Sequence, residues 1–285
     1  TLGNLLLPDI NVSGTGLATI NATAISFNYS KSITVADTVA GSGVDLEISS
    51  IIRDGRSSGQ TLTKAGAGTL RLSGNNTSLA MWTISAGTLK AGSSTGISSA
   101  SALTVSAGVL DLNGFNATVA SVTAGNAAGT ITNTASGSGT NTLTITNYNV
   151  NLASLITDGA TAKTAVTLSN SGGASKLNNA NNTFSGGLTI AGNNTRLYQG
   201  SVTNTLVNGT LTKSNLGTGT VYIGANGSVV SAQMQLGSGS VYNNIIFNAI
   251  DYGDGGRAAF RIDGTVAFYG TLTAGASDIS LSSQS

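Results

Sequence analysis

The sequence has 285 residues, of which 12 are Lys or Arg and 11 are Asp or Glu, so the formal net charge is +1. Such a sparse and balanced charge does not predict nucleic-acid binding, which needs a basic surface against the phosphates. Because the chain contains neither Cys nor His, disulfides, thiolate or histidine metal sites and Ser-His-Asp triads are excluded.

The hydrophobic residues, 40% of the chain, occur in short apolar–Thr–apolar segments separated by Gly, Ser, Thr and Asn. This pattern predicts many short strands joined by tight turns, and helical periodicity is nearly absent. No apolar run is long enough to span a membrane as a helix. The sequence begins at Thr1, and we expect it to be a mature or excised segment of a secreted protein.

The first segment, "LGNLLLPDINV" at 2–12, is strongly apolar. It predicts either an ordinary first strand or a strand that pairs with the end of a neighbouring molecule. The candidate interface residues in this segment are Leu5, Leu6, Leu7 and Ile10.

The next segment, "LEISSIIRDG" at 46–55, returns as "VNLASLITDG" at 150–159, which indicates an internal duplication with a spacing of about 105 residues. The Asp-Gly pair that closes each copy predicts a turn in which the Asp side chain accepts backbone N–H groups. Asp45 and Glu47 share one face of the predicted strand. We interpret them as part of a solvated face beside Arg53, with a pair of catalytic carboxylates as the alternative.

The short segments recur along the rest of the chain, for example "LTVSAG" from 103, "VTLSN" from 166 and "LTIAGN" from 188. A single segment cannot bury its apolar face, whereas stacked segments can. The stretch "AGVLDLNGFNATV" at 107–119 is therefore interpreted as two faces of one coil with Asn-Gly at the corner. The predicted fold class is all-β, a parallel β-helix or β-solenoid, with a β-sandwich or jelly roll as the alternative.

The phrase "LTKAGAGTLRLSGNNT" at 62–77 resembles the passenger-associated repeat of bacterial autotransporters. The segments at 84–92, 103–122, 181–197 and 215–229 are similar to further copies. The resemblance implies a right-handed parallel β-helix that is exported to the outer surface of a bacterium or beyond. On this basis the chain divides into a start at 1–61, repeats at 62–230 and an aromatic-rich end or cap at 231–285.

The last part holds the densest polar group, "DYGDGGRAAFRIDG" at 251–264. We predict a turn with ion pairs there, and Asp251, Asp254 and Asp263 are a candidate Ca²⁺ site. Aromatic residues are concentrated in the same part, where they predict either core packing of a cap or a contact between subunits. The aromatic interface candidates are Tyr242, Phe247, Tyr252, Phe260, Phe268 and Tyr269.

These observations predict a non-enzymatic structural protein of the bacterial cell surface or exterior, a stalk or fibre subunit without a cofactor. The expected partner is a second copy of the chain, which joins end to end into a filament. The alternatives are an adhesin that binds glycans through a flat Thr/Asn face and a β-helical polysaccharide-active enzyme.

Overall fold

The computed structural model describes residues 5–39, 41, 43–55, 59–124, 129–147, 150–170, 172–192, 194–225, 231–249, 259–275 and 281–283. All regular elements among these residues are β-strands. In the described part of the chain there is no helix that is long and apolar enough to cross a membrane. The chain forms two compact units: unit 1 comprises Thr1–Asn141 and Gly159–Ala162, and unit 2 comprises Thr142–Asp158 and Lys163–Ser285.

Unit 1 is built from short parallel strands. In chain order they are β1 (Leu5–Leu6), β2 (Ile10–Val12), β3 (Ala18–Ile20), β4 (Ala24–Phe27), β5 (Lys31–Val35), β6 (Leu46–Ile48), β7 (Ile51–Asp54), β8 (Thr61–Ala65), β9 (Thr69–Leu72), β10 (Met81–Ile84), β11 (Thr88–Ala91), β12 (Ala102–Val105), β13 (Val109–Asp111), β14 (Ala117–Val119), β15 (Ser121–Ala124) and β16 (Thr130–Thr132). Three sheets take strands from successive coils, in the orders β1-β4-β7, β15-β12-β10-β8-β5-β2 and β16-β13-β11-β9-β6-β3.

Unit 2 repeats this arrangement with longer strands. They are β17 (Thr140–Ile145), which begins just before the unit, β18 (Asn151–Leu152), β19 (Leu155–Ile156), β20 (Lys163–Ser169), β21 (Ala174–Leu177), β22 (Leu188–Ala191), β23 (Thr195–Val202), β24 (Asn204–Val207), β25 (Thr210–Ser214), β26 (Val221–Ile223), β27 (Ala232–Val241), β28 (Ile245–Phe247), β29 (Phe260–Ile262), β30 (Val266–Phe268), β31 (Leu272–Ala274) and β32 (Leu281–Ser283). Two parallel sheets follow the orders β17-β20-β22-β26-β28-β31 and β18-β21-β23-β27-β29-β32, with β30 also on β27. The pair β24–β25 is antiparallel and forms a separate hairpin.

The core of unit 1 lies inside the coils, because each strand turns alternate residues inward. Leu62, Trp82 and Leu103 lie in register on β8, β10 and β12 and are buried. Their neighbours, Thr63 and Thr83, are in register on the outer face. A slip of one residue would exchange the two faces, so the alternation fixes the register.

The same logic holds in unit 2, where Leu188, Val221 and Ile245 stack in register and are fully buried. The predicted parallel β-solenoid is confirmed, and the parallel pairing excludes the β-sandwich alternative. The interpretation of 107–119 is also confirmed, because β13 pairs in parallel with β11 and β16 and lies in a different sheet from β14.

Candidate functional site

The candidate site is a polar cluster on unit 1, at the corner where the coils pass from the sheet that contains β8 to the sheet in which β9, β11, β13 and β16 lie side by side. We call it the corner cluster and define it by Asp45, Lys64, Lys90, Asp111 and Thr134. A cavity of about 200 Å³ lies against four of these residues, Asp45, Lys90, Asp111 and Thr134.

Asp45 connects two coils through its carboxylate, although it was predicted to lie on a solvated face. The side chain is buried, and its Oδ1 accepts the N–H groups of Thr38 at 2.6 Å and Val39 at 2.7 Å. Oδ2 accepts the N–H of Thr69, on the next coil, at 2.7 Å. Burial alone would raise the pKa of Asp45, but these N–H groups outweigh it and hold the pKa below its usual value.

Lys64 is one of four residues of this cluster, with Lys90, Asp111 and Thr134, that the sequence patterns did not assign to a candidate site. Its side chain is fully buried, and Nζ donates to the carbonyl oxygens of Ala65 at 2.9 Å, Gly66 at 2.8 Å and Ala86 at 3.1 Å. Burial lowers the pKa of Lys64 to about 8, although the negative charge of Asp45 opposes this change. The signal was present in the sequence, because Lys64 is two residues after the inward-facing Leu62 and shares its side of the strand.

Asp111 holds the other side of the cluster. Its Oδ1 accepts the N–H groups of Asn113 and Thr134, both at 2.9 Å. Its Oδ2 lies 3.2 Å from Nζ of Lys90, which also donates to Oγ1 of Thr134 at 3.3 Å. The carboxylates of Asp45 and Asp111 therefore accept structural hydrogen bonds on both oxygens.

Glu47 was expected beside Arg53, and the structure corrects this interpretation. Its carboxylate instead contacts the guanidinium of Arg71 and the hydroxyl of Ser73, both on the following coil. Side chains on adjacent parallel strands stand directly opposite each other, and β6 pairs with β9 so that Glu47 faces Arg71. Asp45 and Glu47 therefore belong to separate hydrogen-bond networks.

The predicted internal duplication is visible as equivalent contacts in each unit. In unit 1, Asn76 accepts the N–H of Ile52 at 2.7 Å and donates to the carbonyl of Gly96 at 2.6 Å. In unit 2, Asn182 accepts the N–H of Ile156 at 2.9 Å and donates to the carbonyl of Asn215 at 3.0 Å. Each of these asparagines is buried and connects three successive coils.

The repeated Asp-Gly pairs also have matching roles. Asp54 accepts the N–H of Leu79 at 2.9 Å, and Asp158 accepts the N–H groups of Thr164 at 2.8 Å and Ser185 at 3.1 Å. The prediction that these carboxylates bind backbone amides is confirmed. Leu79 and Ser185 are more than 20 residues further along the chain, so these carboxylates hold successive coils together. Asp158 also holds Thr164, six residues after it.

The candidate Ca²⁺ site falls mostly outside the described residues, since Asp251 and Asp254 are not among them. Asp263 accepts hydrogen bonds from Gln235 and from Nε of Arg261, the latter at 2.5 Å. The hydrogen bond from Gln235 is the main reason that the pKa of Asp263 lies below its usual value, and Arg261 adds to the effect. Within the described ranges, no group of three or more carboxylates is close enough to hold a metal ion.

The aromatic interface candidates range from buried to exposed, and Tyr242 and Phe268 are half-buried. Phe247 and Phe260 are buried and meet edge to face with ring centroids 5.6 Å apart, and Phe260 meets Phe268 at 5.5 Å. Tyr242 stacks on the exposed Tyr269 with ring centroids 4.5 Å apart. Tyr252 is outside the described residues.

The N-terminal interface candidates lie on the first strands of unit 1. Leu5 and Leu6 form β1 and pair with Ile25 and Ser26 of β4. Ile10 begins β2, and both Ile10 and Leu7 are half-buried.

Comparison with known proteins gives one result. Residues 62–91 match the family model of the passenger-associated-transport-repeat. The match covers β8 to β11 and contains Lys64 and Lys90 of the corner cluster. It confirms the resemblance in the segment that carried it. No curated protein and no solved structure matches the chain.

The geometry explains why two positions in the matched segment, 66 and 87, are glycine. Gly66 has a φ of 76°, and a Cβ there would lie 2.3 Å from the carbonyl oxygen of Val35. Gly87 has a φ of 61°, and its Cβ would lie 2.4 Å from the carbonyl oxygen of Gly66. The coils approach each other so closely at this corner that only glycine fits, and Lys64 binds the carbonyl groups that the turns leave unpaired.

Proposed function

We propose that this chain is a non-enzymatic structural part of a bacterial surface passenger, a stalk or fibre segment held outside the cell. The match of 62–91 to the passenger-associated repeat supports the location, and the β-solenoid fold supports the mechanical role. In the parallel sheets the backbone hydrogen bonds run from one coil to the next, so a pulling force along the stack of coils is shared by many bonds.

The observation that carries the structural role is the use made of the charged side chains. Asp45, Asp54, Asp111 and Asp158 accept backbone N–H groups, and Lys64 donates to backbone carbonyls. Each joins one coil to another or closes a turn. These groups stabilise the scaffold, and this supports a role in which the chain supplies length and rigidity.

The location is tested by labelling intact cells that carry the parent gene with an antibody raised against this chain. We expect labelling without permeabilisation. Labelling that requires lysis contradicts the proposal.

The non-enzymatic role is tested by incubating the purified chain with a panel of polysaccharides and measuring new reducing ends. We expect no release above that of a heat-denatured sample. The enzyme alternative is favoured instead if the wild type releases reducing ends and both Asp45→Asn and Glu47→Gln abolish this release. The circular dichroism of both variants must stay that of the wild type.

Head-to-tail self-association is a further part of the proposal, and one feature of unit 2 favours it. Among the described strands, β31 and β32 each pair with a single neighbour, and Leu272 and Leu281 are exposed by 48% and 62%. They border an apolar groove of about 290 Å³ that Phe260 and Phe268 also line. Unpaired edges and apolar surface of this kind favour pairing with another parallel strand.

Sedimentation velocity over a range of concentrations tests this association. We expect the wild type to form larger species and Leu281→Asp to stay monomeric. Val207→Asp is the matched control, because Val207 is exposed by 55% on the β24–β25 hairpin and should leave assembly intact. A wild type that is monomeric at every concentration refutes the filament but leaves the surface location standing.

The adhesin alternative rests on the outer threonines of unit 1. Thr83, Thr104 and Thr123 lie in register, and the hydroxyl oxygens of Thr104 and Thr123 are 2.7 Å apart. A flat row of hydroxyls fits a carbohydrate ligand. A glycan array in which the wild type binds and Thr104→Val does not would favour this alternative.

A further inference from the structure

Two Asn-Gly pairs in this chain have almost the same backbone conformation. Asn113 and Gly114 have φ values of 47° and 84°, and Asn208 and Gly209 have φ values of 51° and 80°. The first pair forms a corner in unit 1, and the second forms the tip of the β24–β25 hairpin in unit 2. Because sequence and backbone agree, any difference in their chemistry comes from the surroundings.

In the unit 1 pair, hydrogen bonds hold both the Asn113 side chain and the backbone N–H of Gly114. The side-chain Nδ2 of Asn113 donates to the carbonyl of Ala91 at 2.9 Å. The backbone N–H of Gly114 donates to Oδ1 of Asn133 at 2.8 Å. The backbone N–H of Asn113 also donates to Oδ1 of Asp111 at 2.9 Å. Movement of the Gly114 nitrogen towards the Asn113 side chain would break these bonds.

The pair at the hairpin tip has none of these restraints. Asn208 and Gly209 are both exposed, and no heavy atom lies within 4 Å of the position of a Cβ on Gly209. In the described part of the chain, no hydrogen bond involves the Asn208 side chain or the Gly209 N–H. The hairpin has only two strands, and a short, exposed pair of strands opens more readily than the sheets of a solenoid.

We propose that Asn208 is a site of spontaneous deamidation and that Asn113 is protected. The Gly209 backbone nitrogen forms a bond to Cγ of Asn208, the Cγ–Nδ2 bond breaks, and Nδ2 leaves as ammonia with the proton of the Gly209 N–H. The product is a five-membered succinimide. Water then adds to one of its two carbonyl carbons and opens the ring, which gives aspartate or isoaspartate. Glycine permits the attack because it has no Cβ to crowd the nitrogen or restrict φ.

The reaction would change the hairpin in two ways. A carboxylate appears at a tip whose only neighbouring charge on the hairpin is Lys213, and the formal net charge of the chain falls from +1 to zero. Isoaspartate also adds a methylene group to the main chain of a two-residue turn, which no longer matches the twist of the flanking strands. The β24–β25 pairing is then expected to weaken.

The test is a time course of the purified, folded wild-type chain at mildly alkaline pH, followed by peptide mapping with mass spectrometry and enzymatic detection of isoaspartate. We expect conversion in the peptide that contains Asn208 and retention of the peptide that contains Asn113. The third Asn-Gly pair, Asn226-Gly227, lies outside the described residues and is measured on its own peptide. Equal rates at Asn113 and Asn208 overturn the proposal, and so does conversion of Asn208 only after unfolding in urea.

Two variants sharpen this comparison. Gly209→Ala should slow conversion at Asn208 by roughly tenfold, since a Cβ hinders the attacking nitrogen and disfavours positive φ. Asn133→Ala removes the acceptor of the Gly114 N–H and should raise conversion at Asn113 without changing that at Asn208. The wild-type comparison does not depend on either variant, so it remains decisive if one of them fails to fold.

Discussion

The buried amine of Lys64 predicts an unusual dependence of stability on pH. Burial lowers the pKa of Lys64 from 10.5 to about 8 in the folded chain. In the unfolded chain the amine is hydrated and keeps its ordinary pKa. Between these two values the unfolded chain binds a proton that the folded chain does not bind, so the free energy of unfolding rises with pH.

The size of the effect follows from the two pKa values. Each pKa unit corresponds to about 1.4 kcal/mol, so the full difference is about 3 kcal/mol. Below pH 8 both states are protonated, and the folded state bears the whole cost of burying the cation. The cost is relieved as the pH rises from about 8 towards 10.5, and the stability of unit 1 should increase over that window.

Urea unfolding followed by fluorescence is the suitable assay, because the chain has a single Trp in the same unit. Trp82 is buried and is in register with Leu62, two residues before Lys64. The free energies of unfolding of the wild type and Lys64→Met are compared at pH 7 to 10. The difference between them isolates the contribution of Lys64 from that of the other groups that titrate. Lys213→Met is the control for loss of a lysine elsewhere.

We expect the stability of the wild type to rise relative to Lys64→Met across the window, while Lys213→Met follows the wild type. Parallel pH profiles for the wild type and Lys64→Met would show that the amine of Lys64 has the same pKa in the folded and unfolded chain. Should Lys64→Met fail to fold, nuclear magnetic resonance of the Lys64 side chain in the wild type gives the pKa directly. A value near 10.5 would contradict the argument in the same way.

Three other changes have defined expected outcomes. Gly87→Ala places a Cβ against two backbone carbonyl oxygens and should lower the thermal midpoint strongly. Its control is Gly137→Ala, where a Cβ meets nothing within 4 Å and the thermal midpoint should not change. Equal midpoints for the two variants would contradict the close packing around Gly87. Asn76→Ala leaves a buried N–H and a buried carbonyl unpaired and should cost about 2 to 4 kcal/mol in urea unfolding. The exposed Asn75→Ala is its control, and a similar loss in both would show that the coil-to-coil bonds are unimportant. Since the pKa of Asp45 lies below its usual value, its carboxylate stabilises the fold above the ordinary Asp pKa, and this contribution is lost as pH falls through the folded pKa. Asp45→Asn should therefore be less stable than the wild type at pH 7 and show a smaller loss between pH 5 and 2, which circular dichroism measures.

Much of the fold follows from local sequence. Alternation of Leu62 with Thr61 and Thr63 predicts which side of β8 is buried, because side chains on a strand alternate between its two faces. The echo between 46–55 and 150–159 predicts equivalent contacts, and Asn76 and Asn182 make them. Such features are predictable because they repeat along one strand or at one turn.

Partners on another coil were harder to predict, since they depend on how far the chain travels before it returns. Glu47 meets Arg71 instead of the nearer Arg53 because β6 pairs with β9, 24 residues further along the chain. Lys64 is buried because three carbonyl oxygens from two turns surround its amine, and no single segment contains all of them.

The sequence favoured a solenoid over a β-sandwich, since its short alternating segments recur along the chain and can bury their apolar faces by stacking, and the parallel pairing then excluded the sandwich. The sequence also determined that Asn-Gly adopts positive φ, as it does at both 113 and 208. The folded chain was needed to show that the pair at 113 is a corner between two sheets and that the pair at 208 is the tip of an antiparallel hairpin. A two-residue turn sets only the local direction of the chain. Whether the strand after the turn pairs with the strand before it or with a strand of another coil depends on which strands lie beside it in the folded chain.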